Sequence, residues 1–171
     1  LDRGFRLLVP ELRGRGKSGP TPRQGGDWSY ADVVADVGTY VELARRLAPD
    51  LPLALVGHSL FGHASLAWLG THPGSPVGAL AALAVHVWGR PWNPGLLSWW
   101  RKRAVIIGTK VAAAMYGYMP SGRFGFGTCD EARTYWRDLS GWVEKGRWGT
   151  PEHDFHATLA DIRCPVLHVV S

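Results

Sequence analysis

The sequence predicts an α/β fold with a mostly parallel sheet and crossover helices, and three observations carry that prediction. Apolar runs of strand length stand at residues 5–9, 53–56, 77–87 and 165–170. Helical periodicity lies between the first three, and strand, helix, strand, helix, strand is the signature of a parallel sheet joined by crossovers. A helical block of about sixty residues then interrupts the alternation before the last run resumes it.

Each element has a local cause. Residues 5–9 follow Gly4 and are expected to form a buried strand. Residues 10–28 are dense in Gly, Pro and Arg and read as loop. Ser29 followed by Asp32 is a capping box with Asp in place of Glu. Tyr30, Val33, Val34, Val37, Tyr40, Val41, Ala44 and Leu47 then recur in steps of three and four, one face of an amphipathic helix. Arg45 and Arg46 suit the negative end of its dipole, and Pro49, Asp50 and Pro52 stop it. Residues 53–56 read as a fully buried strand and 60–70 as a helix ended by His72-Pro73-Gly74. Residues 96–118 are helical, 122–127 form a Gly/Phe loop, and Tyr135, Trp136, Leu139, Trp142 and Val143 mark one face of another helix. The expected division is 1–87 as the core, 88–155 as a helical insertion, and 156–171 as the return to the core.

Composition bounds the function. Nine Trp and 46% hydrophobic residues exclude a disordered chain. Cys129 and Cys164 lack CxxC spacing, so neither a disulfide framework nor a zinc site is expected. The longest apolar run, residues 76–85, is too short to cross a bilayer, and no basic-then-apolar leader is seen, so cytoplasm is the default compartment. The net charge of +5 is concentrated: residues 88–150 hold ten Lys/Arg and four Asp/Glu, +6, and the rest hold nine and ten, −1. The basic residues form no nucleic-acid motif. They read as a solvated surface that would tolerate an anionic partner or a lipid surface.

The chemistry concentrates in Leu53-Ala54-Leu55-Val56-Gly57-His58-Ser59-Leu60-Phe61-Gly62, where an apolar strand runs straight into Gly-His-Ser and a helix. A serine on such a turn has its hydroxyl lifted above the sheet. Small residues are needed two before and two after it, where the backbone passes close. The following N–H, that of Leu60, can donate to an oxyanion. The segment resembles the nucleophile elbow, G-x-S-x-G, of α/β-hydrolases. Phe61 stands where the second small residue belongs, and the glycine comes one later, at Gly62. His58 lies inside the elbow as a packing and hydrogen-bonding residue rather than the base.

Two further segments share the resemblance. Residues 4–18 are similar to the strand and loop before the elbow in that superfamily, an acidic residue and then R-G-x-G-x-S, with Glu11 in the usual place of Asp. Ile162-Arg163-Cys164-Pro165-Val166-Leu167-His168-Val169-Val170 resembles the strand after the lid. The helical insertion resembles the lid of the serine aminopeptidase and monoacylglycerol lipase-like branch. The resemblance implies a partial α/β-hydrolase fold and carboxylic-ester hydrolysis through an acyl-enzyme on Ser59. It implies no cofactor, no metal, no nucleic acid, and a small-molecule ester or lipid-like substrate. The Trp- and Phe-rich lid suggests an apolar acyl group.

The resemblance also implies what lies outside the chain. The triad acid and His would follow the last strand, and a second oxyanion donor would precede the first. On that reading the chain is truncated at both ends and inactive alone, since lost triad members cost on the order of 10⁴–10⁶ in rate. Residues 5–9 and 53–56 would then not pair, because an intervening strand belongs between them. Two rivals use the same segment: an acyltransferase or haloperoxidase-like member, and a non-catalytic binding protein in which Phe61 closes the site. A dehalogenase or epoxide hydrolase is disfavoured, since those carry Asp where Ser59 stands.

Other motifs fail on context. Gly14-Arg15-Gly16-Lys17-Ser18-Gly19 fits G-x-G-x-x-G, but a dinucleotide site needs a helix to open at that turn, and Pro20 and Pro22 follow. Gly16-Lys17-Ser18 lacks the first glycine of a phosphate-binding loop, since Glu11 holds its place. His63, His72, His86 and His168 read as core or rim histidines. His153 and His156 flank Asp154 without a third strong ligand, so no metal site is expected there.

Overall fold

The computed structural model describes residues 4–85, 95–125 and 127–170. His86 and Val87, the far end of the expected third strand, and Phe126 of the Gly/Phe loop lie outside the described residues.

Helix α1, Tyr30–Leu47, starts as its capping box dictates. Ser29 Oγ accepts from the Asp32 N–H at 3.2 Å, and Asp32 Oδ2 accepts from the Ser29 N–H at 2.7 Å. Tyr30, Val33, Val34, Val37 and Val41 are buried, as the three-and-four spacing requires. Strand β1, Leu53–His58, follows, then α2, Leu60–Thr71, and β2, Val77–Leu83. The last strand, β5, is Val166–Val169. These strands form one parallel sheet in the order β1-β2-β5, with Leu55 beside Leu80 and Leu80 beside Val166. The chain thus has the α/β architecture expected of it, with β2 central and β1 and β5 at the edges.

Two strand expectations are corrected. Residues 5–9 form no strand; Phe5, Leu7, Leu8 and Val9 are exposed and make no ladder with β1. An apolar run becomes a strand only when a neighbour takes its N–H and C=O groups, and among the described residues none pairs with it. Arg6 Nη1 reaches the carbonyl of Leu47 at 3.4 Å. Strand β1 is also not buried on both faces. Leu55 and Gly57 are buried, with α2 packed against the strand, while Val56 is 66% exposed.

The helical block contains α3, Leu96–Tyr116, and α4, Arg133–Lys145. A short antiparallel pair, β3 at Tyr118–Met119 and β4 at Glu131–Ala132, lies between them. Trp99, Ile106 and Val143 pack together, and Trp136 Nε1 donates to the buried Thr109 Oγ1 at 3.0 Å. Helix α4 also packs into the main core. The Tyr30 ring meets Trp142 edge-on at 4.5 Å between centroids and Phe155 at 5.6 Å. Polar contacts pin the same junction: Asp138 Oδ2 accepts from the Tyr30 N–H at 2.9 Å, and Asp27 Oδ1 from the Thr134 N–H at 2.8 Å. Phe155 opens α5, Phe155–Thr158, whose cap Asp154 accepts from the His156 and Ala157 N–H groups.

Candidate active site

Ser59 stands where β1 ends and α2 begins, with φ 49° and ψ −115°. A serine with φ in the left-handed region sits in a costly conformation, of order 1–3 kcal/mol, that persists only when its surroundings over-determine it. Those surroundings are visible. The Ser59 N–H donates to Leu83 O at 2.9 Å, fastening the turn to the end of β2, and Ser59 O accepts from the His63 N–H at 3.0 Å. Ser59 itself is exposed. The Leu60 N–H, in the first turn of α2, has no intrahelical acceptor.

The close approach falls on Gly57 and Gly62. A Cβ at Gly57 would lie 2.6 Å from Gly62 Cα and 2.7 Å from its nitrogen. A Cβ at Gly62 would lie 2.3 Å from Val85 Cγ2 and 2.9 Å from Gly57 O. The second small position is therefore three after Ser59 rather than two, which reconciles Phe61 with the tight turn. Phe61 packs at the core margin, its ring 6.0 Å from that of Tyr40. The sequence places this glycine one position late, at Gly62, and the folded first turn of α2 brings it against Gly57.

The family described as serine aminopeptidase, S33, matches residues 1–119 of the chain. The chain belongs to that family. It is an α/β-hydrolase family, and the S33 serine aminopeptidase match covers the 11–18 loop, the turn at Ser59 and all of α3. No match is found among curated proteins or among solved structures.

The R-G-x-G-x-S loop of this S33 member is held by its own charges. Glu11 Oε2 accepts from the Lys17 N–H at 2.7 Å, and a Cβ at Gly16 would strike Glu11 Oε1 at 2.2 Å. A carboxylate thus fills the bend that a phosphate would need, and α1 opens only at Tyr30. Arg13 grips Asp36 of α1 with both ends of its fork, at 2.5 Å each. Arg15 reaches across to β4, pairing with Glu131 at 2.6 Å and donating to Asp130 O at 3.1 Å. Arg23 pairs with Asp130. Burial pushes the Glu131 carboxyl above its ordinary range, with Arg15 pulling against it. The hydrogen bond to Asp36 leads the causes that hold the Arg13 guanidinium still higher than usual.

The histidines distribute widely. His58 is exposed at the end of β1. His63 lies against Trp142 and Trp148, at 6.3 and 5.5 Å between ring centroids. His168 Nε2 is 2.8 Å from Val85 O. His72 stacks on Trp68 at 4.7 Å, at the far end of α2, roughly 18 Å along the helix from Ser59. A cavity of about 560 Å³ opens at that far end, lined by Arg45, Arg46, Trp68 and His72 among others. It is therefore not the space above Ser59. His153 packs near Phe155 at 6.1 Å. Among the described residues no three His, Cys, Asp or Glu side chains group to hold a metal.

Proposed function

We propose that this chain carries the nucleophile of a serine hydrolase that cleaves carboxylic esters through an acyl-enzyme on Ser59. The observation that supports the reading best is the left-handed conformation of Ser59, held between β1 and α2 by the Gly57–Gly62 approach. Backbone strain of this kind clusters at active sites, and here it falls on a residue with a nucleophilic hydroxyl.

In the proposed step Ser59 Oγ attacks the ester carbonyl carbon and its proton passes to a base. The carbonyl oxygen becomes an oxyanion that accepts from the Leu60 N–H. Collapse expels the alcohol, which takes the proton. Water then repeats the attack on the acyl-enzyme and frees the acid. Gly57, His58, Phe61 and Gly62 support the turn. The helical block, residues 88–155, acts as a lid whose Trp and Phe residues favour an apolar acyl group. The triad acid and base are assigned to no residue of this chain, and the polypeptide on its own is proposed to be inactive or nearly so.

The test is labelling of the natural protein with a fluorophosphonate beside a Ser59→Ala variant. Labelling that disappears in the variant supports an activated serine. A folded protein that takes no label overturns the reading and leaves a binding role.

A further inference from the structure

Helix α3 has two apolar faces. Trp99, Ile106, Thr109, Ala112 and Ala113 point inward and are buried. On the other side Leu97, Trp100, Ala104, Ile107, Val111 and Met115 follow steps of three and four, and every one is exposed. Leu97 and Met115 are 76% and 78% exposed. At 100° per residue this outer stripe spans about 80° of the helix and runs roughly 27 Å along it. A stripe of that extent on a surface helix normally faces something other than water.

The charges say what. Helix α3 contains Arg101, Lys102, Arg103 and Lys110 and no Asp or Glu. On the helical wheel Arg101 borders the stripe on one side, and Arg103 and Lys110 border it on the other. Arg103 lies over the Trp100 ring at 5.3 Å, and Lys110 pairs with Glu144 of α4 at 2.8 Å. A second copy seated on this face would bring cationic borders against cationic borders. An anionic lipid surface meets the same borders with opposite charge and offers the stripe an apolar interior.

We infer that the outer face of α3 docks on an anionic lipid bilayer, lying in the interface plane with the stripe below the headgroups and the cations among them. No described helix is long and apolar enough to cross a membrane, so the attachment is to one leaflet. The inference needs nothing from Ser59, and labelling at Ser59 does not bear on it.

The experiment is cosedimentation of the protein with phosphatidylcholine vesicles, with and without phosphatidylglycerol, at low and high salt, beside analytical ultracentrifugation of the protein alone. Binding to the phosphatidylglycerol vesicles, weakened by salt and accompanied by a blue shift of Trp fluorescence, is expected. The Ile107→Glu/Val111→Glu variant should lower the partition coefficient by roughly a hundredfold or more, from two lost apolar burials. The Arg101→Gln/Arg103→Gln variant should lower it by roughly thirtyfold, and only for anionic vesicles. Both variants change outward positions, and near-UV circular dichroism checks that they fold. Equal binding to neutral vesicles overturns the inference. So does absence of vesicle binding, whether the protein is monomeric or self-associates through a contact that Ile107→Glu abolishes.

Discussion

Helices α1 and α3 are built on the same spacing and end in opposite situations. Both repeat apolar residues in steps of three and four, both are longer than four turns, and both bury a face against the rest of the molecule. The outward face of α1 carries Asp32, Asp36, Glu42 and Arg46, and its start is fixed by a side-chain cap. The outward face of α3 is apolar, and its N-cap, Gly95, offers no side chain. Spacing alone therefore says that a helix will form and that it has a buried side. The residues opposite that side decide whether the helix is finished by water or awaits another surface.

The largest effect expected from this contrast is between two adjacent isoleucines. Ile106 is 2% exposed and Ile107 is 51% exposed. Ile106→Ala should cost about 2–5 kcal/mol of unfolding free energy, from lost burial and the cavity left behind. Ile107→Ala should stay within about 0.5 kcal/mol. Urea denaturation of the two variants checks this, and comparable losses would mean that the outer face of α3 is packed in solution.

The second effect is at the start of α1. Ser29→Ala should cost about 1 kcal/mol, because it removes the acceptor for the Asp32 N–H. The Ser29 hydroxyl and N–H also hold the Asp32 carboxyl below its ordinary range. The stabilisation is then present above the usual aspartate value of about 3.9 and fades as pH falls through the lower folded value. Thermal melts across the acid range should show this loss in the parent and a smaller one in the variant. The smallest effect is a gain. Gly95 has φ −76° and ψ 117°, which any residue adopts, so Gly95→Ser should add a few tenths of a kcal/mol, read as a small rise in Tm.

What was legible in the sequence was what is local. The capping box, the inward stripe of α1 and the order of strand, turn and helix over residues 53–71 each follow from contacts within a few residues, and each formed. Residues 5–9 misled because a strand is a property of two segments, and apolarity speaks for one. Strand β1 misled for a related reason: its run is continuously apolar, yet only the face toward α2 is covered. The β3–β4 pair was invisible, since strands of two residues have no period. At the turn itself Gly57, Ser59 and Gly62 were legible, and the contact that joins the two glycines was not. That contact depends on where α2 turns back toward β1, and so do the Leu83 and Val85 contacts that brace it.

The bond from the His63 N–H to Ser59 O gives the turn a clock. That proton can exchange with deuterium only when the first turn of α2 opens, and opening there releases the backbone of Ser59 from its left-handed conformation. The exchange rate at His63, set beside amides in the middle of α2, therefore measures how often the turn relaxes while the rest of the chain stays folded. A rate much faster than theirs would mean that the serine spends part of its time in an ordinary conformation, and that its geometry is maintained helix turn by helix turn rather than by the fold as a whole.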